Sequence, residues 1–152
     1  MIARPAGHAD ADELIRLRAV MLQSLSPSDW DDAWREPARQ TLTERLGSPA
    51  LAAFVVDRPD GTGLASCAIG TVETRLGSPG NPAGRSGYVF SVATDPDMRR
   101  RGFSRQCLTA LLQWFREQGI GKVDLRASPD GEPLYRSLGF VRTPDPAMRL
   151  RL

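Results

Sequence analysis

Apolar residues recur along this chain with two different periods. Leu14, Leu17, Met21 and Leu25 fall three and four apart, with Ile15 and Leu22 beside them. That spacing predicts a helix over residues 11–24 with one buried face, capped by Asp10 or Asp12. Ser26, Pro27 and Asp29 have the order of a helix restart, with Ser26 as the cap. Pro37 interrupts that helix, so a second segment is expected from about Glu36 to the stop at Gly47-Ser48-Pro49. Residues 51–57 and 64–73 are strand-like and flank turn-forming Arg58 to Gly63, which predicts an antiparallel hairpin. Residues 75–86 are rich in Gly, Pro, Ser and Asn and read as a long loop. An apolar strand over residues 88–93 follows. The period then changes to helical over residues 103–118, with Cys107, Leu108, Leu111, Leu112 and Phe115 on one face. Residues 123–127 form another strand and residues 130–137 a short helix. Residues 140–142 and 148–152 alternate like two last strands. With residues 2–4 as a short first strand, the pattern is an α/β or α+β sheet with helices on its faces.

Composition narrows this little. The chain of 152 residues is most simply one domain, 1–152, with a real core. A net charge of +2 gives no reason to expect a nucleic-acid or membrane partner. Lys122 is the only lysine, so the position of the arginines carries more information than their number. Cys67 and Cys107 lie inside apolar stretches and read as reduced core residues. The first residues lack the apolar core of a signal peptide, and no apolar run approaches the ~20 residues of a membrane helix. The cytoplasm is the expected location.

Candidate chemistry concentrates at residues 88–106. A strand ends in Thr94-Asp95-Pro96-Asp97, three arginines follow (Arg99, Arg100, Arg101), and Gly102-Phe103-Ser104 opens a helix. The first amides of a helix have no intrahelical acceptor, and the macrodipole adds positive potential there. Arginines at that point add forked donors suited to phosphate. Gly102-Phe103-Ser104-Arg105-Gln106 is close to a nucleophile elbow but lacks its last glycine, and His8, the only histidine, lies in an N-terminal turn. No dinucleotide or nucleotide-triphosphate glycine motif occurs, and one histidine with two separated cysteines makes no metal site. The working expectation is a site for a phosphate-bearing cofactor.

Arg99-Arg100-Arg101-Gly102-Phe103-Ser104 resembles the Q/R-x-x-G-x-G/A loop of the GNAT N-acetyltransferase superfamily. Leu134-Tyr135-Arg136-Ser137-Leu138-Gly139-Phe140 resembles the family's LYxxxGF segment, at the usual distance. Ser104 departs from the loop's final Gly or Ala, and Ser128-Pro129-Asp130 stands where many members carry an Asn. The resemblance implies a single GNAT-like domain, a mixed and mostly antiparallel twisted sheet of six to seven strands flanked by about four helices. It implies that the amides of Arg101, Gly102, Phe103 and Ser104 hold the pyrophosphate of acetyl-CoA, with Arg99, Arg100, Arg101 and Arg105 meeting the remaining phosphate charge. A Cβ at Gly102 would obstruct that approach, and the Ser104 hydroxyl could donate to a phosphate. Ser91, Val92 and Ala93 would pair through their backbone with the pantetheine arm, and an amide near Val92 could polarise the thioester carbonyl.

The reaction so implied is direct attack of a primary amine on acetyl-CoA within a ternary complex. Tyr135 is the expected general acid toward the leaving thiolate. Glu73 is the candidate base, acting through water, since residues 88–94 hold no carboxylate. Trp30, Asp31 and Trp34, with Asp32, are candidates for an aromatic and acidic wall against a small-molecule or peptide amine, and residues 76–86 for a loop closing over it. Pairing into a homodimer is compatible with this reading. The competing expectation is a non-catalytic CoA-binding regulatory module of the same fold.

Overall fold

The computed structural model describes residues 3–25 and 30–152. Ile2 and the helix restart at Ser26, Pro27 and Asp29 therefore lie outside the described residues. The strands are β1 (Arg4–Pro5), β2 (Leu51–Asp57), β3 (Leu64–Thr74), β4 (Arg85–Thr94) and β5 (Val123–Leu125). They lie side by side in chain order, antiparallel from β1 to β4, with β5 parallel to β4. The helices are α1 (Ala11–Leu25), α2 (Arg35–Arg45), α3 (Phe103–Glu117) and α4 (Glu132–Ser137).

Each sheet face has its own core. Leu14, Ile15 and Leu17 of α1 and Leu42 of α2 pack with Val55, Cys67 and Ile69 on one face. Phe103, Cys107, Leu108, Leu111 and Phe115 of α3 pack with Val56, Ala68 and Val89 on the other. Burying each of the Leu, Ile, Val and Phe side chains contributes about 1.5–3 kcal/mol. Phe115 reaches the sheet through a slot: a Cβ on Gly70 or Gly87 would lie 2.6 Å from its ring. Both cysteines are free and buried. Burial pushes the Cys107 thiol up to about 12 and the Cys67 thiol higher still, so both stay protonated.

The sheet among the described residues has five strands, not six to seven. Residues 140–152 hold no strand, and Val141, Met148, Leu150 and Leu152 are exposed. Alternation supplies a strand with two faces but no partner. Pro144 and Pro146 remove donors from the segment that would turn it, and β5 is too short to offer a long edge. β4, in contrast, starts three residues before the expected strand, because Ser86 and Gly87 pair with Glu73 and Val72.

Candidate functional site

Val123, Asp124 and Leu125 of β5 pair with Gly87, Tyr88 and Val89. Beyond Val89 no described strand pairs with β4 on that side. A cleft of about 700 Å³ opens there. Its wall is the far half of β4, the basic turn, the first turn of α3, the segment entering α4, and Val20, Met21, Ser24 and Leu25 of α1.

β4 carries a bulge inside this cleft. Ile69 pairs with Phe90 and Cys67 with Ala93, so Ser91 and Val92 together oppose Ala68. Ser91 takes a positive φ of 50° and is 3% exposed. Its carbonyl accepts from Cys67 Sγ at 3.2 Å, and its hydroxyl accepts from the Arg18 guanidinium. Arg18 lies over the Phe90 ring, 6.0 Å from its centroid, and burial disfavours its charged form.

The turn after β4 is clamped from below. Asp95, 6% exposed, accepts from Arg16 at 2.9 Å through both nitrogens and from Arg58 at 2.8 Å. Arg58 also pairs with Asp97. Asp95 and Asp97 thus shape the turn. Arg100 and Gly102 then both adopt positive φ, 63° and 78°, which turns successive amides toward one side as in an anion nest. Among the described residues, the first backbone bond of the helix runs from Gln106 N to Gly102 O, at 3.1 Å. The amides before it are free to meet an anion.

One expectation for this turn gains a second ground, and another changes. A Cβ on Gly102 would meet no atom of the described residues within 4 Å. The left-handed backbone alone thus favours glycine here, and the space above it is open to an approaching anion. The Ser104 hydroxyl is also already used. Ser66 donates to Ala93 O at 3.1 Å, so its oxygen accepts from Thr94 at 2.8 Å, and Thr94 in turn accepts from Ser104 at 2.6 Å. Each hydroxyl has one proton, so Ser104 has none left for a phosphate and instead ties the turn to the sheet. Arg105 reaches across to Ser137 at 2.7 Å, linking α3 to α4.

Tyr135 stands at the other end of the cleft, 9% exposed, edge-on to Phe140 and against Gly131. Its hydroxyl has no hydrogen-bond partner among the described residues, and burial raises its pKa above the ordinary phenol value. Asp130 is the one carboxylate on the wall among the described residues.

Ser91, Val92, Ala93, Arg99, Arg100, Gly102, Phe103, Ser104, Arg105 and Tyr135 all line this cleft, while Arg101 lies outside its wall. Five other expected residues do not come to it, among them Asp32, which accepts from Arg35 at 2.7 Å. Glu73 pairs with Ser86, five residues along β4 from the bulge, roughly 16 Å at ordinary strand rise. Its carboxylate is held by Arg75 at 2.9 Å. Trp30 and Trp34 pack edge-to-face with centroids 5.8 Å apart, and Arg35 covers both. Asp31 accepts from the Ala33 amide at 2.8 Å. This cluster provides its own cation and stands apart from the cleft wall. Arg18, Met21 and Asp130 were missed. The available signal for Arg18 was a cation on the apolar stripe of α1, three residues before Met21 and four after Leu14.

Comparison with known proteins adds a family. Residues 19–140 match the model of the Acetyltransferase (GNAT) family. Over 62 residues the chain is 31% identical to an uncharacterized N-acetyltransferase, ycf52, of Pyropia yezoensis, covering 41% of this chain. The match spans 36% of that relative, about a third of its length. Among solved structures, a predicted acetyltransferase of Clostridium acetobutylicum crystallised with acetyl-CoA aligns with a TM-score of 0.86 at 22% identity, covering 98% of this chain and 94% of that one. A GCN5-related N-acetyltransferase of Ralstonia eutropha aligns at 0.80 and 24%, covering 97% of both chains. At these identities the structural likeness speaks for the fold. No helix among the described residues is long and apolar enough to cross a membrane.

Proposed function

The chain belongs to the Acetyltransferase (GNAT) family, and from that membership we propose that it transfers the acetyl group of acetyl-CoA to a primary amine. The observation that carries this reading is a single cleft with complementary ends. Among the described residues, free amides and arginines lie at one end, an unpaired strand edge runs between, and an unpartnered phenol lies at the other.

These residues fit the donor. The turn at Arg100 to Ser104 would hold the pyrophosphate through backbone amides, with Arg99 and Arg100 supplying charge. The exposed edge of β4 at Ser91 to Ala93 would pair with the pantetheine amides as a strand pairs with an extended peptide. The bulge re-aims the backbone near Val92, where an amide would stabilise negative charge on the acetyl oxygen. In the transfer, the acceptor nitrogen bonds to the acetyl carbon as the carbon–sulfur bond breaks. Tyr135 gives its proton to the departing thiolate, the amine gives its own to solvent, and the phenolate takes a proton back from solvent to close the cycle. Burial keeps Tyr135 protonated above its usual range, which suits a donor. With Glu73 held by Arg75 away from the cleft, water is the assigned proton acceptor.

The test is thiol release from acetyl-CoA with a panel of amines, alongside Tyr135→Phe. We expect Tyr135→Phe to lower kcat by roughly 10²-fold while CoA affinity stays within about threefold. Tight CoA binding with no amine acetylated, and no effect of Tyr135→Phe, would replace this reading with a non-catalytic CoA-binding module.

A further inference from the structure

Among the described residues, Arg18 is a half-buried cation without a counter-ion. Two nearby arginines are neutralised: Arg16 by Glu13 and Asp95, and Arg58 by Asp95 and Asp97. Among the described residues Arg18 has no carboxylate partner, and its one hydrogen bond goes to the neutral hydroxyl of Ser91. A guanidinium has five donors. Its remaining nitrogens are unpaired among the described residues yet not sealed from solvent. Removing a cation from bulk water with so little return is unfavourable unless an anion completes the site. Arg18 itself stands just behind the cleft wall, and the groups that hold it, Ser91 and the Phe90 ring, are both part of that wall.

Resting on the acetyltransferase reading above, we infer that Arg18 binds a carboxylate of the acceptor, which is a free α-amino acid with an apolar side chain. Three features select this class. One guanidinium matches the single charge of a carboxylate, whereas the phosphate-sized anion has its own place at the far turn. Arg18 bonds to Ser91, the residue beside Val92, so a carboxylate there lies only a few bonds from a nitrogen attacking at the bulge. The surrounding wall of Val20, Met21, Leu25 and Phe90 is apolar and would take an uncharged side chain.

The experiment compares leucine, leucinamide and 3-methylbutylamine as acceptors with the full chain and acetyl-CoA, for the native protein, Arg18→Gln and Arg18→Lys. The native protein should favour leucine over both analogues by about tenfold or more in kcat/KM, because a buried donor set left unpaired discriminates strongly. Arg18→Gln should raise KM for leucine by about 30-fold with little change for 3-methylbutylamine, and Arg18→Lys should recover part of the loss. Calorimetric titration with N-acetylleucine should show binding to the native protein that Arg18→Gln loses, with CoA affinity unchanged as the control for folding. Preference for either analogue, or an equal loss for all three in Arg18→Gln, overturns the assignment while leaving acetyl transfer standing. Absence of thiol release with every amine overturns the acetyltransferase reading itself.

Discussion

Gly102 allows the backbone demand of the basic turn to be separated from its ligand demand. Its φ of 78° and ψ of 13° lie in the left-handed region, where an L side chain costs about 1–2 kcal/mol. A Cβ would meet no atom of the described residues within 4 Å, so no clash adds to that figure. Gly102→Ala and Gly102→Glu should therefore lose about the same stability, 1–2 kcal/mol in urea unfolding. Their CoA affinities should differ. A carboxylate about 5 Å from a phosphate charge is repelled by about 0.8 kcal/mol at the dielectric of water and about 3.3 kcal/mol at an effective dielectric of 20. We expect Gly102→Glu to bind CoA roughly ten- to a hundredfold more weakly than Gly102→Ala by titration calorimetry, with the gap shrinking in high salt. Equal affinities for the two variants, at equal stability, would refute the placement of the phosphates over this turn.

Three further outcomes follow from the packing and the ion pairs. Asp95→Asn removes the carboxylate that Arg16 and Arg58 share; discounting for the partial exposure of Arg16, urea titration should show a loss of about 2–3 kcal/mol. Asp10 and Glu13 are held below the usual carboxylate range, chiefly by bonds from Arg4 and Arg16. A depressed folded pKa stabilises above the unfolded value of about 4 and is lost as pH falls through the folded one. Acid unfolding should therefore steepen below about pH 4, and Asp10→Asn should flatten that limb. Gly70→Ala would press a methyl against Phe115 at 2.6 Å and should destabilise by about 1–3 kcal/mol. Adding Phe115→Leu should bring the double variant to less than the sum of the two single losses, measured by the same unfolding titration.

Much of the scaffold was legible because its signals are local. The three- and four-residue spacing from Leu14 to Leu25 marked α1, and the turn residues from Arg58 to Gly63 marked the β2–β3 hairpin. The change of period after Arg101 marked the start of α3 to the residue, since caps, breakers and helical stripes all act within a few positions. What escaped depends on pairing between distant segments. Nothing in the run from Tyr88 to Ala93 shows that Ser91 is an extra residue, because a bulge is a property of two strands in register. Gly70 and Gly87 give no sign of the Phe115 ring that occupies the space above them. Glu73 had the right chemistry for a base, but its distance from the bulge is set by the β3–β4 register. Trp30, Asp31 and Trp34 promised a cation site without showing that Arg35 already fills it. Met148 to Leu152 had a strand's alternation with only the three-residue edge of β5 to join.

The bulge has a consequence for how the scaffold and the site can be separated. Val89 and Val92 pack toward α3, and Phe90 and Ala93 toward α1. Excising Ser91 would make Val92 follow Phe90 directly, with Ala68 as its single opposite residue, and every residue downstream would keep the face it has now. The deletion is in frame with the two-residue repeat of the strand, and Thr94 stays opposite Ser66. Ser91 is thus a removable letter: a chain lacking it is spelled as an unbroken strand, still folds by the same hydrophobic grammar, and no longer presents the hydroxyl on which Arg18 is seated.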